Sequence, residues 1–138
     1  MAELMDQLAH VPLFKDLDKK GLERLVRIAR TRNYKAGENI VKEGDEGVGF
    51  FMIANGSVDV TKSGQKLATL HTGEFFGEMA LLDNYRRAAT VTAIGDTECI
   101  AMSRWDFNAE LRANPDIAME MLSLMSRRLR EVEQKLTE

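Results

Sequence analysis

The spacing of hydrophobic and polar positions is helical up to about residue 34, strand-like as far as residue 103, and helical again to the C-terminus. One helix is predicted over residues 1–10 and a second after Asp18, which is a favourable N-cap residue. The segment Val11-Pro12-Leu13-Phe14 separates them, because proline forces the residue before it toward an extended conformation. The apolar faces consist of Leu4, Met5 and Leu8 in the first helix and Leu22, Leu25, Val26 and Ala29 in the second.

The middle of the chain alternates short apolar runs with turns that are rich in glycine, asparagine and aspartate. The predicted strands are Ile40-Val41, Phe50–Ala54, Ser57–Thr61, Lys66–Leu70, Ala89–Ile94 and Glu98–Met102. Asn55-Gly56 lies between two of these runs and has the strongest hairpin signal, so the strands on either side of it are predicted to pair. Ser63-Gly64 also marks a turn. Many short strands separated by such turns predict a mainly β architecture, a small antiparallel barrel or double-sheet roll with flanking helices.

Two further helices are predicted after the strands. Ser103 to Asp106 forms a capping box that opens a helix ending at Ala113, and Asn114-Pro115 then provides an N-cap and the first residue of the last helix. Beyond Met125 the apolar positions narrow to a heptad-like seam of Met125, Leu129, Val132 and Leu136. A helix that extends past its own domain leaves this seam to be covered by a dimer partner or by a neighbouring part of a larger protein.

Composition and charge restrict the function classes. The 138 residues predict one domain, 1–138, with N-terminal helices over 1–34, a β-roll over 35–103 and C-terminal helices over 104–138. A net charge of −3 argues against a nucleic-acid partner, which would require a clustered basic face. Cys99 is the single cysteine, which is typical of a reducing compartment, and neither a leader nor a membrane-spanning apolar run is present. The expected location is the cytoplasm.

The segment from Gly73 to Thr90 contains the candidate chemistry. Glu78 and Arg87 lie nine positions apart, so a short turn of helix and a loop can bring both to one pocket. Arginine offers a planar set of donors that matches two phosphate oxygens, whereas a carboxylate only accepts and suits a sugar hydroxyl. Gly77 lets the backbone approach a ligand closely, and the amides of the following turn can donate to an anion. The pattern predicts a site for a phosphodiester with a free ribose hydroxyl.

The residues Phe76-Gly77-Glu78-Met79-Ala80-Leu81-Leu82, followed by Arg87-Ala88-Ala89-Thr90, resemble the phosphate-binding cassette of cyclic-nucleotide-binding domains. Those domains occur in kinase regulatory subunits, nucleotide-gated channels and catabolite-activator-type regulators. The resemblance extends over nearly the whole chain and implies a short inserted phosphate-binding helix within cassette residues 73–90. One departure is Arg86, because many members have proline before the cassette arginine.

The resemblance also implies roles for individual residues. The cyclic phosphate is assigned to Arg87 and the backbone amides of Ala80 and Ala88, and the ribose hydroxyl to Glu78 with Gly77. Two hydrophobic strand residues, Val60 and Leu70, are candidates for the base pocket. In the last helix, Arg128 is placed where channel-type members stack an arginine on the base, so this helix is expected to close over the ligand. The expected ligand is adenosine 3′,5′-cyclic monophosphate (cAMP), with its guanine counterpart (cGMP) as the second choice.

These features predict a signal-sensing regulatory module rather than an enzyme. His10 and His71 have no second ligand at metal-site spacing, and the serines lack a histidine–acid partner pattern, so neither a metal nor a catalytic cofactor is expected. The expected partners are the cyclic nucleotide and a homodimer or effector protein contacted through the C-terminal helix, with no nucleic acid and no membrane segment. Two alternatives stay open. One is an interaction or dimerisation module with an empty pocket, and the other is the sensor domain of a transcription regulator without its DNA-binding part.

Overall fold

A computed structural model describes residues 2–46, 49–83 and 86–137. The helices are α1 (Ala2–Leu8), α2 (Lys19–Ile28), α3 (Arg104–Ala113) and α4 (Pro115–Thr137), with a 3₁₀ helix over Glu78–Leu81. The strands are β1 (Arg30–Tyr34), β2 (Asn39–Val41), β3 (Gly49–Asn55), β4 (Ser57–Lys62), β5 (Gln65–His71), β6 (Phe75–Phe76), β7 (Thr90–Ala93) and β8 (Thr97–Ser103). The chain forms two compact units: a roll unit, Ala29–Phe107, and a helical unit made of Met1–Ile28 and Asn108–Glu138.

The roll unit consists of two antiparallel sheets of four strands each. Their strand orders are β1-β8-β3-β6 and β2-β7-β4-β5. Alternate residues of a strand face the same side, and an apolar cluster lies between the two sheets. Ile53 and Cys99 from one sheet and Val58 and Val91 from the other form the buried cluster there. The predicted double-sheet roll with flanking helices is confirmed.

The prediction that the strands flanking Asn55-Gly56 pair with each other is wrong. Strand β3 pairs with β6 and β8, whereas β4 pairs with β5 and β7, so the chain changes sheet at this point. Gly56 has a φ of 117°, and an added Cβ would lie 2.8 Å from Thr97 Oγ1. The glycine therefore allows a tight bend where the chain crosses from one sheet to the other, and not a hairpin turn.

The true hairpin turn is Ser63-Gly64, which joins β4 to β5. Lys62 pairs with Gln65, and the two residues between them have φ values of 52° and 79°. Two consecutive positive φ values belong to the tight turn whose twist matches that of the flanking strands.

Two strands are absent from the sequence prediction. Strand β1 lies within the segment expected to be helical up to residue 34, so the N-terminal helices end at Ile28 instead. All but the last of its residues are exposed, and an exposed edge strand lacks the apolar alternation that identifies a strand. Strand β6 has only two residues, which is too short for any periodic pattern.

Within the helical unit, capping and ion pairs connect the elements. Asp18 caps α2 as predicted, because its Oδ1 accepts the Gly21 amide at 2.8 Å, and its own amide donates to Glu120 Oε1 of α4 at 2.7 Å. Helix α4 begins at Pro115 as predicted, while the Asn114 side chain donates to Glu110 rather than capping the helix. No described helix combines the length and the apolar character needed to cross a membrane.

The predicted seam along α4 is exposed. Leu129, Val132 and Leu136 are 60%, 53% and 81% accessible, whereas the buried residues of the helix lie in its first half. The described chain alone therefore does not cover the C-terminal half of this face.

Candidate ligand-binding site

The roll unit contains a cavity of about 480 Å³ between the 3₁₀ helix and the strands of the second sheet. The described residues lining it are Val41, Val60, Phe75, Phe76, Gly77, Glu78, Ala80, Asp83, Arg86, Arg87, Ala88, Ala89 and Val91. The lining combines an apolar wall with two arginines and two acids. Such a mixture suits an organic anion that carries a hydrophobic ring.

Gly77 shapes the cavity through its backbone. Its φ is 80°, a conformation that residues with a side chain rarely adopt. A Cβ at this position would lie 2.9 Å from the Gly49 carbonyl oxygen and would collide with the Arg87 guanidinium. The missing side chain thus provides the space in which the arginine lies, whereas the approach of this backbone to a ligand stays a prediction.

Arg87 is the cation of the cavity. Its Nη2 donates to the Gly49 carbonyl at 2.5 Å, while its Nε is buried and has no hydrogen-bond partner among the described residues. Burial lowers the pKa of Arg87 from its ordinary value because the charged form loses solvation. No ion pair connects Arg87 to a carboxylate in the described part of the chain. A partly desolvated guanidinium with an unused donor, facing a cavity, can bind an incoming anion.

Arg86 also borders the cavity, but its guanidinium is bonded to the loop before β3. Its Nη1 donates to the Gly44 carbonyl at 2.8 Å, and its side chain is exposed. Two backbone bonds hold the same loop, from the Arg87 amide to the Asp45 carbonyl at 2.7 Å and from the Gly44 amide to the Arg87 carbonyl at 2.9 Å. Arg86 therefore anchors the loop between β2 and β3, and Arg87 is the arginine that contacts the base of the cavity.

Most of the residues assigned to the ligand come together. Val60, Gly77, Glu78, Ala80, Arg87 and Ala88 all line the cavity. The amide of Ala80 donates to the Gly77 carbonyl at 3.0 Å, so it closes the 3₁₀ turn in this structure. Leu70 is not among the described lining residues and packs instead against the central apolar cluster of the roll. Arg128 belongs to the helical unit, where it donates to the carbonyls of Pro12 and Lys15.

Sequence reasoning missed part of the site. Phe76 stacks on Phe51 with ring centroids 5.2 Å apart and forms part of the cavity wall, although it lies in a two-residue strand. Val41 and Asp83 also line the cavity. The apolar pair Ile40-Val41 is predicted as a strand, so an inward-facing side chain could be expected there. No local pattern shows that β6, which has only two residues, forms part of the cavity wall.

The two-sheet roll and its cavity beside the 3₁₀ helix define a class of β-roll domain, and comparison with known proteins identifies its family. The family profile described as "Cyclic nucleotide-binding domain" matches residues 31–114, which is more than half of the chain. The chain belongs to the cyclic nucleotide-binding domain family.

Curated relatives agree with this assignment. The chain is 37% identical over 130 residues to the cyclic AMP receptor protein of Thermus thermophilus, with 91% of this chain and 60% of the relative covered. It is 37% identical over 109 residues to a cAMP-dependent protein kinase regulatory subunit of Dictyostelium discoideum, with 73% and 33% covered. The chain thus spans at most 60% of the length of these two relatives.

Solved structures show the same fold. The N-terminal domain of a transcriptional regulator from Streptomyces coelicolor superposes with a TM-score of 0.81 at 29% identity, covering 95% of both chains. The regulatory domain of Toxoplasma gondii PKA, solved with cAMP, gives a TM-score of 0.71 at 30% identity and covers 78% of this chain and 43% of that one.

Proposed function

We propose that the domain binds cAMP as a signal and transmits its presence through the C-terminal helix. The observation that carries the proposal is Arg87, whose Nε is a buried donor without a partner beside a cavity of about 480 Å³. The guanidinium of Arg87 lines the cavity, is partly desolvated and forms no ion pair with a described carboxylate, so an anion in the cavity gains a charge-assisted contact.

The rest of the pocket supports a cyclic phosphate attached to a ribose. Glu78 begins the 3₁₀ helix and lines the same cavity as Arg87. As an acceptor it suits a ribose hydroxyl and would repel a phosphate, so the two residues favour opposite ends of one ligand. The amide of Ala88 is the additional donor that we assign to the phosphate. The amide of Ala80 already donates to the Gly77 carbonyl, so it can contact the phosphate only through a hydrogen bond shared between the two acceptors.

We favour the adenine base because no hydroxyl follows the arginine. In family members that prefer cGMP, threonine or serine commonly occupies the position after the phosphate-binding arginine, where its hydroxyl reaches the guanine amino group. Here this residue is Ala88. The apolar wall that includes Val60 and Phe76 offers stacking and contact area without a polar preference.

We also propose that α4 closes over the base and that Arg128 stacks on it. An arginine plane over a purine is energetically favourable. The guanidinium is held by carbonyls of Pro12 and Lys15 in this structure, so the closed state requires those two bonds to be exchanged for the base. The cytoplasm remains the predicted location, and regulation without catalysis the predicted role.

The test is a calorimetric titration of the chain with cAMP and with cGMP. We expect saturable binding of both, with cAMP the tighter ligand. Absence of binding at millimolar concentrations of either nucleotide would contradict the proposal and favour the alternative of an interaction module with an empty pocket.

The second candidate function is the sensor part of a transcription regulator. The similarity to the cyclic AMP receptor protein of Thermus thermophilus and to the transcriptional regulator domain of Streptomyces coelicolor supports it. This candidate shares the ligand and differs in the output, so the titration tests its first half as well.

A further inference from the structure

The roll unit contains a second cavity, whose lining residues differ from those of the nucleotide pocket but include Phe51, which stacks on Phe76 of the pocket wall. On the opposite sheet, this cavity of about 290 Å³ opens beside the edge strand β1. We call its most distinctive residues the arginine–aromatic patch: Arg30, Arg32, Tyr34, Phe51 and Trp105. None of them lines the nucleotide pocket.

The pairing register explains why these side chains meet. Arg30, Arg32 and Tyr34 alternate along β1 and therefore face the same side of the sheet. Arg30 pairs with Ala101 of β8, and Ala101 in turn pairs with Phe51 of β3, so an arginine and a phenylalanine lie in one row across three strands.

Trp105 adds a large exposed aromatic surface. It is 62% accessible, and the guanidinium carbon of Arg104 lies 5.7 Å from its ring centroid. Arg104 is itself held by a bond from its Nη1 to the Asp83 carbonyl at 2.8 Å. The indole is thus positioned from one side by a fixed cation while most of its surface faces solvent, which is an arrangement common at binding surfaces.

The charge of the patch is positive and largely unneutralised. Arg30 approaches Asp106 at 3.7 Å, but their side chains are 69% and 41% accessible, so this surface pair contributes little. Arg32 forms no ion pair with any residue that the structure describes. In a chain of net charge −3, two arginines on one short strand are a local concentration of positive charge.

The backbone of β1 is available as well. It pairs with β8 on one side and lies at the edge of the sheet formed by the described strands. A free edge presents unpaired amides and carbonyls to any extended chain, and charged side chains on that edge deter neutral or basic strands. The same charges attract an acidic strand, because opposite charges across a strand pair are stabilising.

From this combination we propose that the β1 edge is a docking site for an acidic, extended polypeptide segment that adds to the sheet as a further strand. Its backbone would pair with β1, its carboxylates would contact Arg30 and Arg32, and an apolar side chain would cover Trp105. This mode of recognition takes its affinity from main-chain bonds and its selectivity from side chains.

The test uses Trp105, the only tryptophan of the chain, as a local fluorescent probe. The probe ligand is the acetylated and amidated heptapeptide Val-Thr-Glu-Thr-Asp-Thr-Val, which contains no aromatic residue and whose acidic and apolar side chains face the same side of an added strand. We expect a saturable change in Trp105 emission, at least tenfold weaker apparent affinity for the version with lysine at every acidic position, and weaker binding as salt concentration rises. Equal response to both peptides, or none at about 1 mM, overturns the proposal.

Strand addition is tested separately from charge. Methylating alternate backbone amides of the acidic peptide, in each of the two registers, removes main-chain donors and leaves the side chains unchanged. We expect one register to lose at least tenfold in affinity and amide resonances of Arg30–Tyr34 to shift only with the binding peptides. If both methylated peptides bind as well as the parent, the peptide does not add as a strand and the proposal is wrong.

The matched variants are Arg30→Gln with Arg32→Gln, and, as control, Arg127→Gln with Arg130→Gln on the exposed surface of α4. Only the first pair should weaken peptide binding by about tenfold, and both should keep the circular dichroism of the wild type. Two outcomes would assign the patch to another occupant and overturn the proposal. One is that a ten-nucleotide oligothymidylate displaces the bound peptide as effectively as free peptide does. The other is self-association in sedimentation that the Arg30→Gln and Arg32→Gln pair abolishes and the control pair does not.

Discussion

At the scale of single residues, Arg87 and Arg86 show how neighbouring arginines take separate tasks. The first is half-buried against Gly77 and Gly49 and keeps one donor unpaired, while the second is exposed and bonds to the loop before β3. An unpaired buried donor opposes folding, so it persists where function requires it.

Arg87→Leu should therefore affect binding much more than stability. We expect cAMP affinity to fall well over tenfold, by about 2–5 kcal/mol, because the phosphate charge loses its charge-assisted partner. The melting temperature without ligand should change little, because the substitution removes both the unpaired Nε and the bond to the Gly49 carbonyl. Calorimetry and thermal denaturation measure the two effects.

Arg86→Leu is the matched control for this substitution. It should change affinity much less, because its guanidinium serves the Gly44 carbonyl rather than the cavity. If Arg86→Leu is the damaging change and Arg87→Leu is mild, the assignment of the phosphate to Arg87 is wrong.

Ala88→Thr should shift the base preference. The added hydroxyl offers one acceptor to the guanine amino group, which corresponds to a gain of about 1 kcal/mol in cGMP binding. Competition titrations with both nucleotides measure the ratio of affinities. A wild-type domain that already prefers cGMP would refute the assignment of cAMP, whatever the variant does.

Cys99 makes stability depend on pH in alkaline solution. Burial raises the pKa of its thiol from 9.0 to about 11, so between these values the unfolded chain releases a proton that the folded chain retains. Stability is complete below pH 9 and is lost as the pH rises toward 11. Urea titrations at pH 8 and pH 10 should show a decrease of roughly 1 kcal/mol that is absent in Cys99→Val. A decrease of equal size in both proteins would assign it to other groups, of which Tyr34, with its raised pKa, is the nearest.

At the scale of elements, the comparison of sequence and structure separates what local pattern can and cannot reveal. The strands predicted from apolar alternation all exist, because a strand that faces the core must alternate. The pattern does not identify the partner of a strand, so Asn55-Gly56 resembles a hairpin although the chain there changes sheet. Long-range strand pairing, and not the turn itself, decides whether such a turn forms a hairpin or a crossing from one sheet to the other.

In the candidate site, too, local sequence pattern reveals some features, while others depend on long-range strand pairing. Its cassette is contiguous in sequence, so Gly77, Glu78 and Arg87 could be predicted from their spacing to share one cavity. The cavity wall could not be predicted, because Val41 and Phe76 reach it only through the pairing of β2 with β7 and of β6 with β3. The contact between Arg86 and the loop before β3 could not be predicted either, because the hydrogen bond joins Arg86 to Gly44, which is 42 positions away in the sequence.

Helix α4 provides the prediction at this scale. If it closes over the base, hydrogen exchange across Ser123–Leu136 should slow on addition of cAMP, because the ligand favours the state to which it binds more tightly. Arg128→Ala should reduce both the affinity and this protection, whereas Arg127→Ala should change neither.

Arg128→Ala also removes the bonds from Arg128 to the carbonyls of Pro12 and Lys15. If the loss of these bonds were its only effect, hydrogen exchange would be faster by the same factor with and without nucleotide, and the affinity would be unchanged. That result, or equal exchange of the wild type with and without saturating ligand, would contradict the lid.

At the scale of the whole molecule, the exposed seam of α4 predicts self-association. Leu129, Val132 and Leu136 repeat at heptad spacing and are all more than half exposed, which matches the seam of a two-stranded coiled coil. We expect sedimentation equilibrium to give a dimer whose dissociation constant rises at least tenfold in Leu129→Glu with Val132→Glu. Arg127→Glu with Gln134→Glu, on the face opposite the seam, is the control, and an equal effect of both pairs would exclude a specific seam.

The strand order of the roll also determines when it can form. The first two strands, β1 and β2, pair with β8 and β7, which are the last two. The second sheet cannot close until the chain has been made as far as Ala93, and the first sheet cannot close until it has been made as far as Ser103. Contacts this distant in sequence slow folding, since the loop between them must be closed before any pairing energy is gained. A nascent chain that stops short of β8 therefore leaves β1 and β3 without this partner and presents unpaired strand edges to the ribosome surface and to chaperones, so we expect the first sheet to form late.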